Sequence, residues 1–355
     1  MLIPYICRSF YFFAGITALI SEFVPQLRTE FVHYGKVKTT TESSNQLENL
    51  KAQNQTGTKS STSSADFFFA KINITAILRA TVSKNSFLYF YLFGTMVSCL
   101  LLLHVSNWET RKTMYNPITE TDPWFFGVWK TLECKLSPLK SLYLFSIPTK
   151  NIELCEPFTE SVFRSCVWTL GLYTIHVILR LIETAYWQPL SNAKIHIGHF
   201  IVGIFFYILT PFAVFADSIY VNGSIPNSPT LVVILATLLF FYSIYTRYKC
   251  HQILFNLKNL SRQGPSSLET TKDNQYSIPM GGWFNRISSP HYTAEILMYF
   301  SLYFIAGTNN ISFIFLLFWV VVNLTISATE THYWYKRTFK SKYPINRYAL
   351  IPYIW

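Results

Sequence analysis

Charge is what this chain has least of. Only 13% of its 355 residues are Asp, Glu, Lys or Arg, where an ordinary globular chain carries roughly 25%. That shortage argues against one or two soluble domains. Its six cysteines are scattered without metal-type spacing, so no metal site is expected. The glycine-rich dinucleotide fingerprint, the P-loop and the nucleophile elbow are all missing. No internal repeat is evident either. What fills the space is apolar: hydrophobic residues make up 50% of the chain and aromatic ones 18% of it. The composition is that of an all-α integral membrane protein. The formal net charge of +11 comes from basic residues that flank apolar runs rather than from a basic domain. Lipid headgroups and an anionic cofactor, not nucleic acid, are the partners expected of it.

The hydrophobic runs divide the chain. Residues 1–25 form a retained first span, because they lack the basic start and small-residue cleavage site of a secretory signal. Residues 37–64 turn to Thr, Ser, Asn, Gln and Lys, a polar insertion too poor in apolar groups to order itself. Residues 65–78 are mildly amphipathic. Further spans are expected at about 86–104, 162–187, 195–215, 230–247, 293–307 and 311–329, making about seven transmembrane helices. Residues 107–160 and 247–292 read as polar connections. Domain by domain, spans 2 and 3 with their loop occupy 86–187, and a C-terminal region with spans 4–7 occupies 188–355. The connection at 217–228 has no Lys or Arg, whereas 247–286 and the tail are basic. By the positive-inside rule the C-terminus is cytosolic and, with an odd number of spans, the N-terminus lumenal. Asn222-Gly223-Ser224 would then be a lumenal sequon.

The stretch 277–295 organises the polar groups. Pro279, Gly281 and Gly282 make a turn, and Ser288-Ser289-Pro290 supplies an N-cap and N1 pairing for a new helix. His291 and Glu295 then share a helical face near its positive end, so the stretch is a candidate anion site; an ordinary connecting loop is the competing reading. In the third span His176, Arg180 and Glu183, spaced by four and three, also share a face. Ionisable residues at such depth usually mark a site, although Arg180 and Glu183 could simply neutralise each other. His332 and Tyr335, three apart near the end of the last span, could protonate an oxygen, where an interfacial aromatic belt explains Tyr333 and Trp334 but not His332. One pocket opening toward the cytosol would collect these clusters.

The order and spacing of these residues resemble the steroid 5α-reductase family, in particular its polyprenol (polyprenal) reductase branch. The likeness is carried by Tyr34-Gly35-Lys36, Val82-Ser83-Lys84 with Phe90 and Tyr91, and His176, Arg180, Leu181 and Glu183. It continues through Ser191-Asn192, Tyr248-Lys249-Cys250-His251, Ile278-Pro279, Gly281, Ser288-Ser289-Pro290 and Glu295. The tail adds His332, Tyr335-Lys336, Tyr343-Pro344, Arg347 and Ile351-Pro352. The resemblance implies a multi-pass enzyme of the endoplasmic reticulum membrane. It would use NADPH to reduce the α-isoprene double bond of a polyisoprenoid lipid, a step of dolichol synthesis that supports protein N-glycosylation. It implies cofactor contacts at Tyr34, Arg180, Asn192, His251, Lys258, Tyr276, His291 and Glu295; His332 is the residue expected to donate to the carbonyl oxygen, with Tyr335 or Tyr91 as further catalytic candidates. His251 stands where the steroid branch has Asp, and Val177 where that branch has its catalytic Tyr. Both departures favour the lipid substrate.

Chemistry narrows the substrate further. Hydride addition to an alkene needs a sink for the developing negative charge, and an α,β-unsaturated aldehyde has one in its carbonyl oxygen. An allylic alcohol has none, so polyprenal is expected to be the species reduced. A very-long-chain enoyl-thioester reductase obeys the same logic and stays open, as does a steroid 5α-reductase. Outside the reductases, the alternatives are a membrane methyltransferase using S-adenosylmethionine and a transporter. A transporter would place its polar groups near the midplane rather than at one boundary. No protein partner is inferable.

Overall fold

In a computed structural model the chain is described over residues 2–23, 80–114, 160–191, 193–216, 229–262 and 276–352. Seven long helices account for most of them: α1 Leu2–Phe23, α2 Phe87–Met114, α3 Glu160–Ile182, α4 Ile197–Ala216, α5 Thr230–Arg262, α6 Pro290–Ala306 and α7 Ile311–Phe339. Six of the described helices are long and apolar enough to cross a bilayer. The remaining one, α6, has 17 residues, at the lower limit of what spans a hydrocarbon core. The chain is thus an all-α, multi-pass membrane protein. The insertion at 37–64, the amphipathic stretch at 65–78, the sequon and most of the 107–160 connection lie outside the described residues.

Three helices outrun the spans expected of them. α2 continues ten residues past 104, and α7 ten past 329. The informative case is α5, expected to stop at Arg247 but helical to Arg262. Cys250, Ile253, Leu254 and Leu257 keep the helical apolar spacing, and no breaker arrives before Gly264-Pro265. Hydropathy sees the end of the greasy run, whereas the backbone answers to periodicity. Arg247, His251 and Lys258 therefore project from a helix rather than a loop.

α5 packs along α6, α1 along α7, and α2 against both α3 and α4. Two short strands, β1 Thr81–Ser83 and β2 Lys194–His196, pair antiparallel with Val82 opposite Ile195. The pairing is extended by Lys84 N–H to the Ala193 carbonyl and Ile197 N–H to the Ala80 carbonyl, each 2.9 Å. This ribbon holds the starts of α2 and α4 at one end of the bundle. It satisfies backbone groups that would otherwise be orphaned where the chain re-enters an apolar medium. At the opposite end Asn310 caps α7, its Oδ1 accepting from Phe313 N–H at 2.8 Å. Its Nδ2 donates to the carbonyls of Ala213 at 3.1 Å and Val214 at 3.0 Å, terminal groups of α4.

α2 and α4 approach closely because Gly203 has no side chain: a Cβ there would stand 2.6 Å from the buried Phe90 ring. Gly203→Val should push Phe90 into its neighbours and destabilise the fold by about 1–3 kcal/mol, the usual cost of overpacking. A thermal-unfolding midpoint equal to wild type would contradict this account of the packing.

Candidate functional site

Two polar clusters lie at the end of the bundle where β1 and β2 lie. The first is built on α3. Arg180 donates through Nη1 to Glu183 in a close buried ion pair and through Nη2 to the Tyr91 hydroxyl at 2.7 Å. The guanidinium also lies 4.8 Å from the centroid of the Tyr91 ring. Glu183 opens a π-helical turn, Glu183–Trp187, at the end of α3. Its second oxygen meets His251 Nδ1 at 2.8 Å, while Arg180 Nη1 stands 3.0 Å from the same nitrogen. A guanidinium only donates, so the two contacts ask for opposite states of Nδ1. The carboxylate contact matches donor to acceptor, and it places the proton on Nδ1. The His251 ring lies 5.6 Å from that of His291, in the first turn of α6. Glu295, one turn deeper, acts electrostatically on both Arg180 and Arg247.

Arg247 is 2% exposed, and its Nη1 lies 2.7 Å from Nδ1 of the fully buried His176. α2, α3, α5 and α6 thus each send polar groups into one interior cluster. The pairing of Arg180 with Glu183 is real, but it is part of a larger assembly rather than a mutual neutralisation at the membrane edge.

The second cluster joins α7 to the tail. The Ser288 hydroxyl lies 2.6 Å from His332 Nδ1, 2.6 Å from the Tyr343 hydroxyl and 3.0 Å from the Tyr348 carbonyl. A hydroxyl has one donor and two acceptor positions. Donation to the Tyr348 carbonyl, which can only accept, leaves Ser288 accepting from Tyr343 and from His332 Nδ1–H. Tyr335 stacks on Tyr343 with centroids 5.5 Å apart and planes inclined by 5°. Ser288 N–H donates to the Tyr348 carbonyl at 2.8 Å, and Thr293 Oγ1 to the Leu350 carbonyl at 2.7 Å. The tail is therefore stitched onto the start of α6.

Of the residues expected in the site, Tyr91, Arg180 and His251 share the first cluster, with His291 and Glu295 facing it. His332 and Tyr335 belong to the second, and Ser288 stands three residues before His291. Lys258 donates to the Pro189 carbonyl at 3.0 Å. Tyr276 packs edge-on against Trp334 at 5.2 Å, and partial burial raises its phenol above the ordinary value. Tyr34 and Asn192 lie outside the described residues. Glu183, His176 and Arg247 belong to the cluster although only their spacing or depth announced them. Ser288 and Tyr343 carried no chemical signal beyond their place in the family motifs.

A helical membrane bundle with an interior ion-paired cluster at one end marks a functional site within the membrane rather than a structural anchor. Its relatives agree. Residues 193–355 match the family model described as 3-oxo-5-alpha-steroid 4-dehydrogenase. The chain is 30% identical over 282 residues to a polyprenal reductase of Caenorhabditis elegans, covering 78% of this chain and 80% of that one. It is 28% identical over 304 residues to polyprenal reductase 1 of Oryza sativa subsp. indica, covering 77% and 80%. A mouse polyprenal reductase is 31% identical over 188 residues, covering 51% and 55%. The chain belongs to the steroid 5α-reductase family of membrane oxidoreductases, as its motif order implied.

Removing one partner of a buried ion pair leaves the other charge uncompensated. Glu183→Ala should therefore destabilise the protein by about 3–5 kcal/mol, and adding Arg180→Met should restore part of that loss. Additive losses in denaturant unfolding of the single and double variants would show that the pair is not coupled.

Proposed function

We propose that this protein reduces the α,β double bond of polyprenal with NADPH, in dolichol synthesis at the endoplasmic reticulum membrane. The observation that carries the chemistry is the contact between Arg180 and Tyr91. The phenol oxygen accepts from the guanidinium, so its own proton is free to be donated, and the adjacent cation stabilises the phenolate that donation leaves. The family membership and the polyprenal reductase relatives supply the substrate class.

The residues present suit an anionic dinucleotide. Ser289 caps α6 without a side-chain hydrogen bond, and both Ser289 Oγ and His291 Nδ1 are buried without a partner among the described residues. Such a helix start, with its N–H groups and positive dipole end, favours diphosphate. His291, Lys258 and Tyr276 are the described residues that would hold the outer part of NADPH, with Tyr34 and Asn192 as further contacts. Arg180, His251 and Glu295 would meet its inner part. When bound, NADPH supplies hydride to the β-carbon of the substrate.

As the β-carbon gains hydride, the π electrons of the double bond move toward the aldehyde oxygen. Tyr91 donates its proton to that oxygen to give the enol; the enol returns the hydroxyl proton to the Tyr91 phenolate as the α-carbon takes a proton from solvent, which completes the saturated aldehyde. Enclosure by α2, α3, α5 and α6 keeps water from competing for the Tyr91 proton. His332 and Tyr335, the other catalytic candidates, then hold the tail against the cofactor end of α6. The site would face the cytosol, where NADPH is available.

Purified protein should oxidise NADPH on addition of polyprenal but not of an enoyl thioester or a steroid. Tyr91→Phe should lower kcat about 100-fold or more, the scale of a lost general acid, with NADP+ affinity unchanged. His332→Ala should chiefly lower the unfolding midpoint. The opposite pattern, a silent Tyr91→Phe and an inactive but stable His332→Ala, would move the donor to His332.

A further inference from the structure

Behind the Arg180–Tyr91 contact, the interior cluster contains polar atoms that no described residue satisfies. Arg180 Nε, Arg247 Nε, His176 Nε2 and the Tyr299 hydroxyl are all buried without a hydrogen-bond partner among the described residues. Arg247, His176 and Tyr299 are 2%, 0% and 1% exposed. His176 is the hub, bonded to Arg247 and with its ring centroid 6.0 Å from that of Tyr299. Unsatisfied polar groups are expensive in a membrane interior, and four in one place call for a ligand.

The chemistry of that ligand can be read from the atoms. A guanidinium has no acceptor, so His176 Nδ1 must accept from Arg247, and the proton of the neutral ring sits on Nε2. Three of the four atoms are therefore fixed N–H donors, and the fourth, a hydroxyl, adapts to either role. The ligand atom they fit is an acceptor. It is also uncharged, because the two guanidiniums are already offset by Glu183, which pairs with Arg180, and by the field of Glu295. A phosphate or carboxylate would upset that balance, and an alcohol would bring a hydrogen with no fixed acceptor to receive it. A carbonyl oxygen meets both conditions.

We propose that Arg247, held in place by His176, hydrogen-bonds the carbonyl oxygen of the substrate together with Tyr91, and that this contact selects an unsaturated carbonyl compound over the corresponding alcohol. The inference rests on the reductase reading above but deepens it. A carbonyl oxygen has two lone pairs, and the Tyr91 proton occupies one of them. The Arg247 Nε–H takes the other, and both contacts strengthen as negative charge develops on the oxygen.

The test uses the full-length protein with NADP+ and a short polyprenal carrying carbon-13 at the aldehyde. In wild type the bound carbonyl stretch should move to lower wavenumber than that of the free aldehyde, and in Arg247→Lys and Arg247→Gln it should return toward the free value. Those variants should lose about 100-fold or more in kcat, a loss larger than any fall in the folded fraction accounts for, while NADP+ affinity of the folded protein stays close to wild type. His176→Asn can still accept from Arg247 and should retain more activity than His176→Phe, which cannot. An unshifted stretch in wild type, or one shifted equally in the Arg247 variants, would overturn the proposal. So would an activity loss matched by lost NADP+ binding or by unfolding, which would make the pair a cofactor contact or a packing element. If the enzyme reduces an enoyl thioester instead of polyprenal, the same infrared comparison with a labelled thioester carbonyl decides the Arg247 contact independently of the substrate reading.

Discussion

The structure depends on keeping charge buried in a medium that cannot solvate it. Arg180, Glu183 and His251 form a closed set of contacts between α3 and α5, and Tyr91 joins α2 to it. In a bilayer the alternative to pairing is an ion or dipole facing hydrocarbon, so each contact holds a helix in place as well as a charge. The π-helical turn at Glu183–Trp187 fits this picture, since such turns often accompany functional positions. Close approach of α2 and α4 at Gly203 then sets Phe90, and hence the neighbouring Tyr91, at a fixed depth.

The tail network serves a related purpose at the boundary. Ser288 uses all three of its hydrogen-bonding positions on His332, Tyr343 and Tyr348. Beside it, the N-cap Ser289 makes no side-chain cap for α6, and its Oγ is unpartnered among the described residues. A helix start whose own serines are turned away from capping is suited to receive an anion. Glu295 lies one turn further in along the same helix, so in the proposed reading α6 serves both cofactor binding and reduction.

Much of this was legible in the residues. The His176, Arg180 and Glu183 spacing identified one helical face, and the Ser288-Ser289-Pro290 run located the start of α6. Each is a local signal that depends on spacing along a single helix or turn. The extension of α5 was also available in its periodicity, but the polar side chains from Arg247 onward hid it from a reading based on hydropathy. Arg247, at the expected end of the fifth span, carried no local sign of an interior role, because a basic residue at the end of an apolar run is usually a headgroup anchor.

By itself the sequence determined the membrane setting, the helical class, the family and the chemical logic of an enolate sink, because these follow from composition, periodicity and the order of short motifs. Tertiary structure decided which polar residues meet. His251 finds Glu183 across 68 positions and Arg247 finds His176 across 71, and nothing local to either residue encodes such a partner. It likewise separated His332 from the Arg180 cluster by committing its Nδ1 to Ser288. Helical spacing says which face a side chain occupies; only the packing of one helix on another says what that face touches.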